Sequence, residues 1–87
     1  MDIPAMLLPI MEENGIHISN NWEETLDLDS VTFILIILSI ENILGYEIPY
    51  EYITIRKFLT FQMFVDNISN IVADTDSGIN LQISSMG

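Results

Sequence analysis

A serine hydroxyl preceded by a carboxylate, Asp29-Ser30, stands where a short acidic turn, Leu26-Asp27-Leu28-Asp29-Ser30-Val31, runs into a long aliphatic segment. Asp29 is placed to cap a helix that begins at Ser30, its side-chain oxygen accepting a backbone N–H of the first turn. The Ser30 hydroxyl then lies in that turn, where unpaired N–H groups and the helix dipole favour attached negative charge. A phosphate ester would sit well there. Capping alone would use the same two residues, so the dipeptide by itself leaves both uses open.

Other reactive side chains are few. His17 is the only histidine and a candidate general base, but the chain has no cysteine for it to activate and no second histidine to share a metal. A catalyst built from Ser30, His17 and Asp29 has no oxyanion hole or substrate pocket to recommend it in the sequence, and no glycine loop suited to cradling phosphate accompanies it. An enzyme is therefore not the expectation. Asp74-Thr75-Asp76-Ser77-Gly78 echoes a calcium loop without the closing acid. Asn67-Ile68-Ser69 matches a glycosylation sequon but falls inside a predicted helix.

The elements that would position Ser30 follow from helical periodicity. Asp2 caps a first helix with Pro4 in its opening turn, Met6, Leu7, Ile10 and Met11 form its apolar stripe, and Asn14-Gly15 stops it. Pro9 should kink that helix or delay its start. Residues 16 to 29 form a long connection, pinned to the core by Ile16, Ile18, Trp22 and Leu26. A second helix runs from Ser30 to about Leu44 and ends at Gly45. Its inward face is Phe33, Ile36, Ile37, Ile40, Ile43 and Leu44. Val31, Ile34, Leu35 and Leu38 make a second apolar stripe, either a docking surface or a face covered by the first helix or the long connection.

Beyond Gly45, Ile48 should be buried and Pro49 bars immediate helix continuation. Tyr50 to Ile55 could hold a short helical turn, and Phe58 and Leu59 would plug the core. Thr60 caps a last helix whose core stripe is Phe61, Phe64, Val65, Ile68, Ile71 and Val72, with Gln62, Asp66, Asn67 and Asn70 opposite. After Ala73 the composition suggests a flexible tail over residues 74–87, with a weak strand alternation at Ile79, Leu81 and Ile83. The expected fold is all-α: a small four-helix bundle of three main helices and one short one, with residues 1–73 as the domain.

Bulk properties narrow the partners. The 87 residues suit one small core, and thirteen acids against two bases, Arg56 and Lys57, give a net charge of -11. That charge repels nucleic acid and anionic lipid headgroups, so proteins with basic rims fit better. The apolar run from Phe33 to Leu38 is much shorter than the ~20 residues a membrane span needs, and no signal-peptide pattern opens the chain. A cytoplasmic, soluble protein is the expectation.

The order of these features resembles the acyl carrier protein family, over roughly residues 3 to 72. The family's Asp-Ser-Leu signature is matched as Asp29-Ser30-Val31, and its Gly-Ile-Glu-Ile-Pro stretch as Gly45-Tyr46-Glu47-Ile48-Pro49. An Ile-rich helix with Glu41 near its end, then Phe58 and a capped final helix, complete the pattern. The resemblance implies a carrier whose Ser30 receives 4'-phosphopantetheine from coenzyme A through a magnesium-dependent phosphopantetheinyl transferase. The arm's thiol would hold acyl or aminoacyl groups as thioesters. Partners would be an adenylating loading enzyme and downstream synthase or transferase domains, docking on the second helix through Val31, Ile34, Leu35, Leu38 and Glu41.

Two features depart from the family's usual pattern: Asp27 stands where glycine is frequent, and Thr32, Leu35 and Leu38 stand where fatty-acid carriers present acids. Specialised biosynthesis of a polyketide, nonribosomal peptide or related product is therefore favoured over a fatty-acid role. A D-alanyl or other aminoacyl carrier shares the cofactor and differs in cargo. An unmodified helical interaction module, with Ser30 only a cap, is the alternative of another class.

Overall fold

The computed structural model describes the backbone of residues 2–86 and the side chains of residues 2–49 and 51–75. Its elements are α1 (Ile3–Glu13), α2 (Ser30–Leu44), two one-turn 3-10 helices (Tyr50–Tyr52 and Ile55–Lys57) and α3 (Phe61–Met86). The fold is all-α, a small helical bundle. Among the described residues the sole β pairing is an isolated bridge between Thr25 and Thr60. The expected short fourth helix is thus resolved into two separate 3-10 turns, with Pro49 ahead of the first and Thr54 in extended conformation between them.

Helix α1 is capped as the sequence predicts, Asp2 Oδ1 accepting the Ala5 N–H at 3.2 Å. It starts on time and continues as one helix through Pro9. Pro9 and Ala5 are both exposed, so water can solvate the Ala5 carbonyl that Pro9 leaves without a donor. Gly15, at φ 77°, closes the end. Its N–H reaches the Glu12 carbonyl at 3.0 Å and the Ile16 N–H reaches that of Met11 at 2.8 Å, a Schellman closure.

The core combines aliphatic side chains with a set of phenylalanines. Ile3, Leu7, Ile10 and Met11 of α1 pack with Phe33, Ile36, Ile37 and Ile40 of α2 and with Phe61, Phe64, Ile68 and Ile71 of α3. Ile48 and Phe58 enter it from the α2–α3 connection. Phe58 lies 4.8 Å from Phe64 and 5.4 Å from Phe33 between ring centroids, in tilted contacts that favour the ring quadrupoles.

Three expectations are corrected here. Ile43 is 54% exposed, because the helix turns it past the core that Leu44 still touches. Leu59 is exposed as well: its carbonyl accepts the Leu26 N–H at 2.8 Å, which fixes the backbone and leaves the side chain outward. Finally, the backbone of α3 runs to Met86, so Ile79, Leu81 and Ile83 are helical where a strand alternation was expected. Residues 74–86 contain no proline and only Gly78 as a strong helix breaker, so the modest propensity penalties of Asp, Ser and Asn do not end the helix. The calcium-loop echo Asp74–Gly78 is accordingly helical backbone.

The long connection is laced to α3 rather than to α2. The Trp22 carbonyl takes the Gln62 N–H at 2.9 Å, and Thr60 Oγ1 takes that of Met63 at 3.1 Å, so two first-turn donors of α3 are satisfied. The Trp22 ring meets Phe61 edge-on at 5.0 Å. Leu26 and Leu28 then pack on the core while Asp27 and Asp29 stay exposed, the alternation of an extended segment. This delivers Ser30 to the surface.

No helix among the described residues is long and apolar enough to cross a membrane.

Candidate functional site at the start of α2

Asp29 has extended backbone (φ -88°, ψ 171°) and its Oδ1 accepts the Thr32 N–H at 2.7 Å. That N–H holds the carboxyl below the usual carboxylate range. The Thr32 hydroxyl and the Val31 N–H act in the same direction and outweigh the opposing cost of desolvation. Asp29 is therefore ionised at neutral pH and commits one N–H of the first turn to the cap. Ser30 follows as the first helical residue, exposed and within the positive end of the helix dipole.

Behind Ser30 lies a groove of about 330 Å³. Its floor and one wall are Ser30, Phe33, Ile34, Ile37, Leu38 and Glu41 of α2, and its other wall is Ile53 and Ile55 from the 3-10 segment. At 1.5 Å per residue, Ser30 and Glu41 lie about 16 Å apart along α2. The groove is thus lined mostly by apolar side chains between Ser30 and Glu41.

Glu41 also holds the connection that carries the second wall. Its Oε2 accepts the backbone N–H of buried Ile48 at 2.8 Å, tying the Gly45–Pro49 turn to α2. Inside the protein such a donor would be costly to leave without an acceptor. Glu41 thus lines the groove and at the same time engages the chain's own backbone.

The predicted site residues divide into three groups. Ser30, Ile34, Leu38 and Glu41 share the groove, Val31 and Leu35 stand on the exposed crest beside it, and Asp29 caps the helix. Val31 is 68% exposed, Ile34 52%, Leu35 48% and Leu38 54%, so neither α1 nor the long connection covers the second stripe. Ile53 and Ile55 were missed as groove residues. Their signal was a pair of aliphatics flanking Thr54 that fits no helical stripe.

Other depressions lack a matching nucleophile. A larger groove of about 550 Å³ between α1 and α2 contains Ser39, but its hydroxyl donates to the Leu35 carbonyl at 3.0 Å. His17 lines a separate cleft with Glu24 and Asp27, which includes neither Ser30 nor Asp29. Among the described residues no group of three or more His, Cys, Asp and Glu side chains is placed to hold a metal ion. No family model matches this chain, and no curated protein or solved structure matches it either.

Proposed function

We propose that this chain is a carrier protein that holds acyl or aminoacyl intermediates on a 4'-phosphopantetheine arm attached to Ser30, in a specialised biosynthetic pathway. The single observation that carries the reading is the placement of Ser30: exposed in the first turn of a capped helix, at the mouth of an apolar groove.

The residues fit such a group on two counts. The first turn of α2 suits a phosphodiester, whose charge the helix N-terminus favours. Phe33, Ile34, Ile37, Leu38, Ile53 and Ile55 offer the arm or its cargo an apolar lining of a size that suits small ligands. In attachment, the Ser30 oxygen gives up its proton and bonds to the phosphorus of coenzyme A that bears pantetheine, and adenosine bisphosphate leaves. The transfer needs an external phosphopantetheinyl transferase. When bound, the arm supplies a thiol that carries the cargo as a thioester, chemistry that the chain, without cysteine, cannot supply itself. The chain's own work is to position Ser30, shield cargo from water and present a surface to the loading and downstream enzymes. On this reading the protein is a tethered substrate rather than an enzyme.

The test is intact mass after incubation with coenzyme A and a broad-specificity transferase. A single gain of one phosphopantetheine, abolished in Ser30→Ala, supports the reading; no gain, or a gain that survives the substitution, rejects it.

A second reading, an unmodified helical interaction module, draws on the exposed stripe and on the Asp29 cap, which accounts for Ser30 without any cofactor. It requires no mass gain.

A further inference from the structure

We propose that the groove between α1 and α2 receives an amphipathic helical segment of another protein, which seats an aliphatic side chain against Ile43 and brings a basic one to Glu13. The groove holds about 550 Å³ and includes neither Ser30 nor the outer stripe of α2, so its use does not depend on whether Ser30 is modified. Ala5, Pro9 and Glu13 recur at every fourth residue along α1, with partly buried Met6 and buried Ile10 beneath them. Ser39, Asn42 and Ile43 stand opposite on α2. Ile43 is 54% exposed, and the small side chains of Ala5, Pro9 and Ser39 leave the groove beside it open.

Hydrogen-bonding capacity and charge decide the occupant. Pro9 has no N–H, so the Ala5 carbonyl lacks the donor one turn on that a helix normally provides. The Ser39 hydroxyl commits its hydrogen to the Leu35 carbonyl at 3.0 Å and keeps only acceptor capacity toward the groove. The Glu13 carboxylate also only accepts, so among the lining side chains the Asn42 amide alone can still donate. A cationic, donor-rich occupant complements this set, and Met6, Ile10 and Ile43 require that the cation arrive with hydrocarbon attached. Length selects a peptide over a small amine: Ala5 and Glu13 lie about 12 Å apart along α1, two turns, the reach of anchors at i, i+4 and i+7 on a helix laid in a groove. The net charge of -11 repels nucleic acid and anionic lipid. A second copy carries the same charge, and its two bases sit together on a one-turn 3-10 helix rather than along an amphipathic one. Ser30 and Ile43 are separated by about 20 Å along α2, so a protein held here leaves the hydroxyl open to another.

The experiment titrates isotope-labelled protein with a synthetic end-blocked amphipathic peptide of leucine and lysine, about three helical turns long, and follows the backbone amide shifts. A peptide of the same length with glutamate in place of lysine is the control. Shifts should concentrate at residues 5–13 and 39–43, and the glutamate peptide should not bind. With helicity unchanged, Glu13→Gln should weaken binding about threefold or more and Ile43→Ser about fivefold or more. Pro9→Ala, which gives the Ala5 carbonyl a donor from its own helix, should weaken it about twofold. Glu51→Gln, at an exposed acid outside the groove, and Ser30→Ala should both stay within about 1.5-fold of wild type. Shifts centred on Ile34, Leu35 and Leu38 overturn the proposal, as does a loss in Glu51→Gln equal to that in Glu13→Gln, which marks unspecific attraction to acids. A wild-type dimer in sedimentation that Ile43→Ser dissolves gives the groove to a second copy and overturns it too. So does failure of the lysine peptide to bind at about millimolar concentration. No arm of the experiment uses coenzyme A, so each of these results leaves the reading of Ser30 where its own mass test puts it.

Discussion

The two faces of α2 are built from the same kind of residue and meet opposite fates. Phe33, Ile36, Ile37 and Ile40 are nearly sealed from solvent, while Val31, Ile34, Leu35 and Leu38 stand about half exposed or more. Hydrophobicity therefore does not separate them. What does is the supply of neighbours: α1, α3, Ile48 and Phe58 cover one face, while among the described residues the groove on the other is walled from outside α2 by Ile53 and Ile55. A helix that is apolar nearly all round in so small a domain leaves one side without cover, and that side is where the candidate attachment serine and the groove lie.

Substitutions that open the inner face should have the largest effect. Phe64→Ala removes a fully buried ring that touches both Phe33 and Phe58, and should cost about 3–5 kcal/mol in denaturant unfolding. Ile40→Ala should cost about 2–5 kcal/mol. If either costs no more than a surface change, the contrast between the faces is wrong.

Glu41→Ala comes next. It leaves the buried Ile48 N–H without its acceptor and should cost about 1–3 kcal/mol, with faster hydrogen exchange at that amide. Glu41→Gln keeps a carbonyl acceptor and should lose less.

The cap has a smaller effect, with a defined pH signature. The folded carboxyl of Asp29 titrates below its ordinary value, chiefly because of the Thr32 N–H, so the unfolded chain binds the proton more readily. Stability from this group is fully present above the unfolded value near pH ~4 and is lost as pH falls through the lower folded value. Asp29→Asn keeps a capping side chain and removes the titration. Its stability difference from wild type should therefore shrink on acidification through that window, as followed by urea unfolding at a series of pH values. A difference that grows instead would contradict the assignment.

The smallest effect belongs to the outer face. Leu35→Ala should change stability by about 0.5 kcal/mol or less, since little of its burial is at stake. Equal losses at Leu35 and Ile40 would erase the distinction between the faces.

Much of this arrangement was legible in local sequence. Asp2, Asp29 and Thr60 cap the helices they precede, and Gly15 and Gly45 end theirs at φ 77° and 82°, because capping depends on only a few consecutive residues. The groove was not legible. Its second wall comes from Ile53, between the two 3-10 turns, and Ile55, at the start of the second, neither on a helical stripe, and its stability involves a hydrogen bond between Glu41 and Ile48 across a turn. Ile43 and Leu59 were assigned to the core from their type and spacing, yet both are exposed. The weak strand alternation at Ile79, Leu81 and Ile83 misled for a different reason: no proline stands in residues 74–86 to stop a helix already under way.

The sequence by itself determined the helices α1 and α2, the start of α3, the all-α class and the position of Ser30 in a capped first turn. Backbone capping and helical periodicity are short-range, and their residues are neighbours in the chain. Only the tertiary structure decided which apolar face of α2 is covered, where Glu41 points, and that Ser30 opens onto an apolar groove. Each of those depends on residues brought together from distant parts of the chain, and burial is fixed by which surfaces the packed elements have left to share.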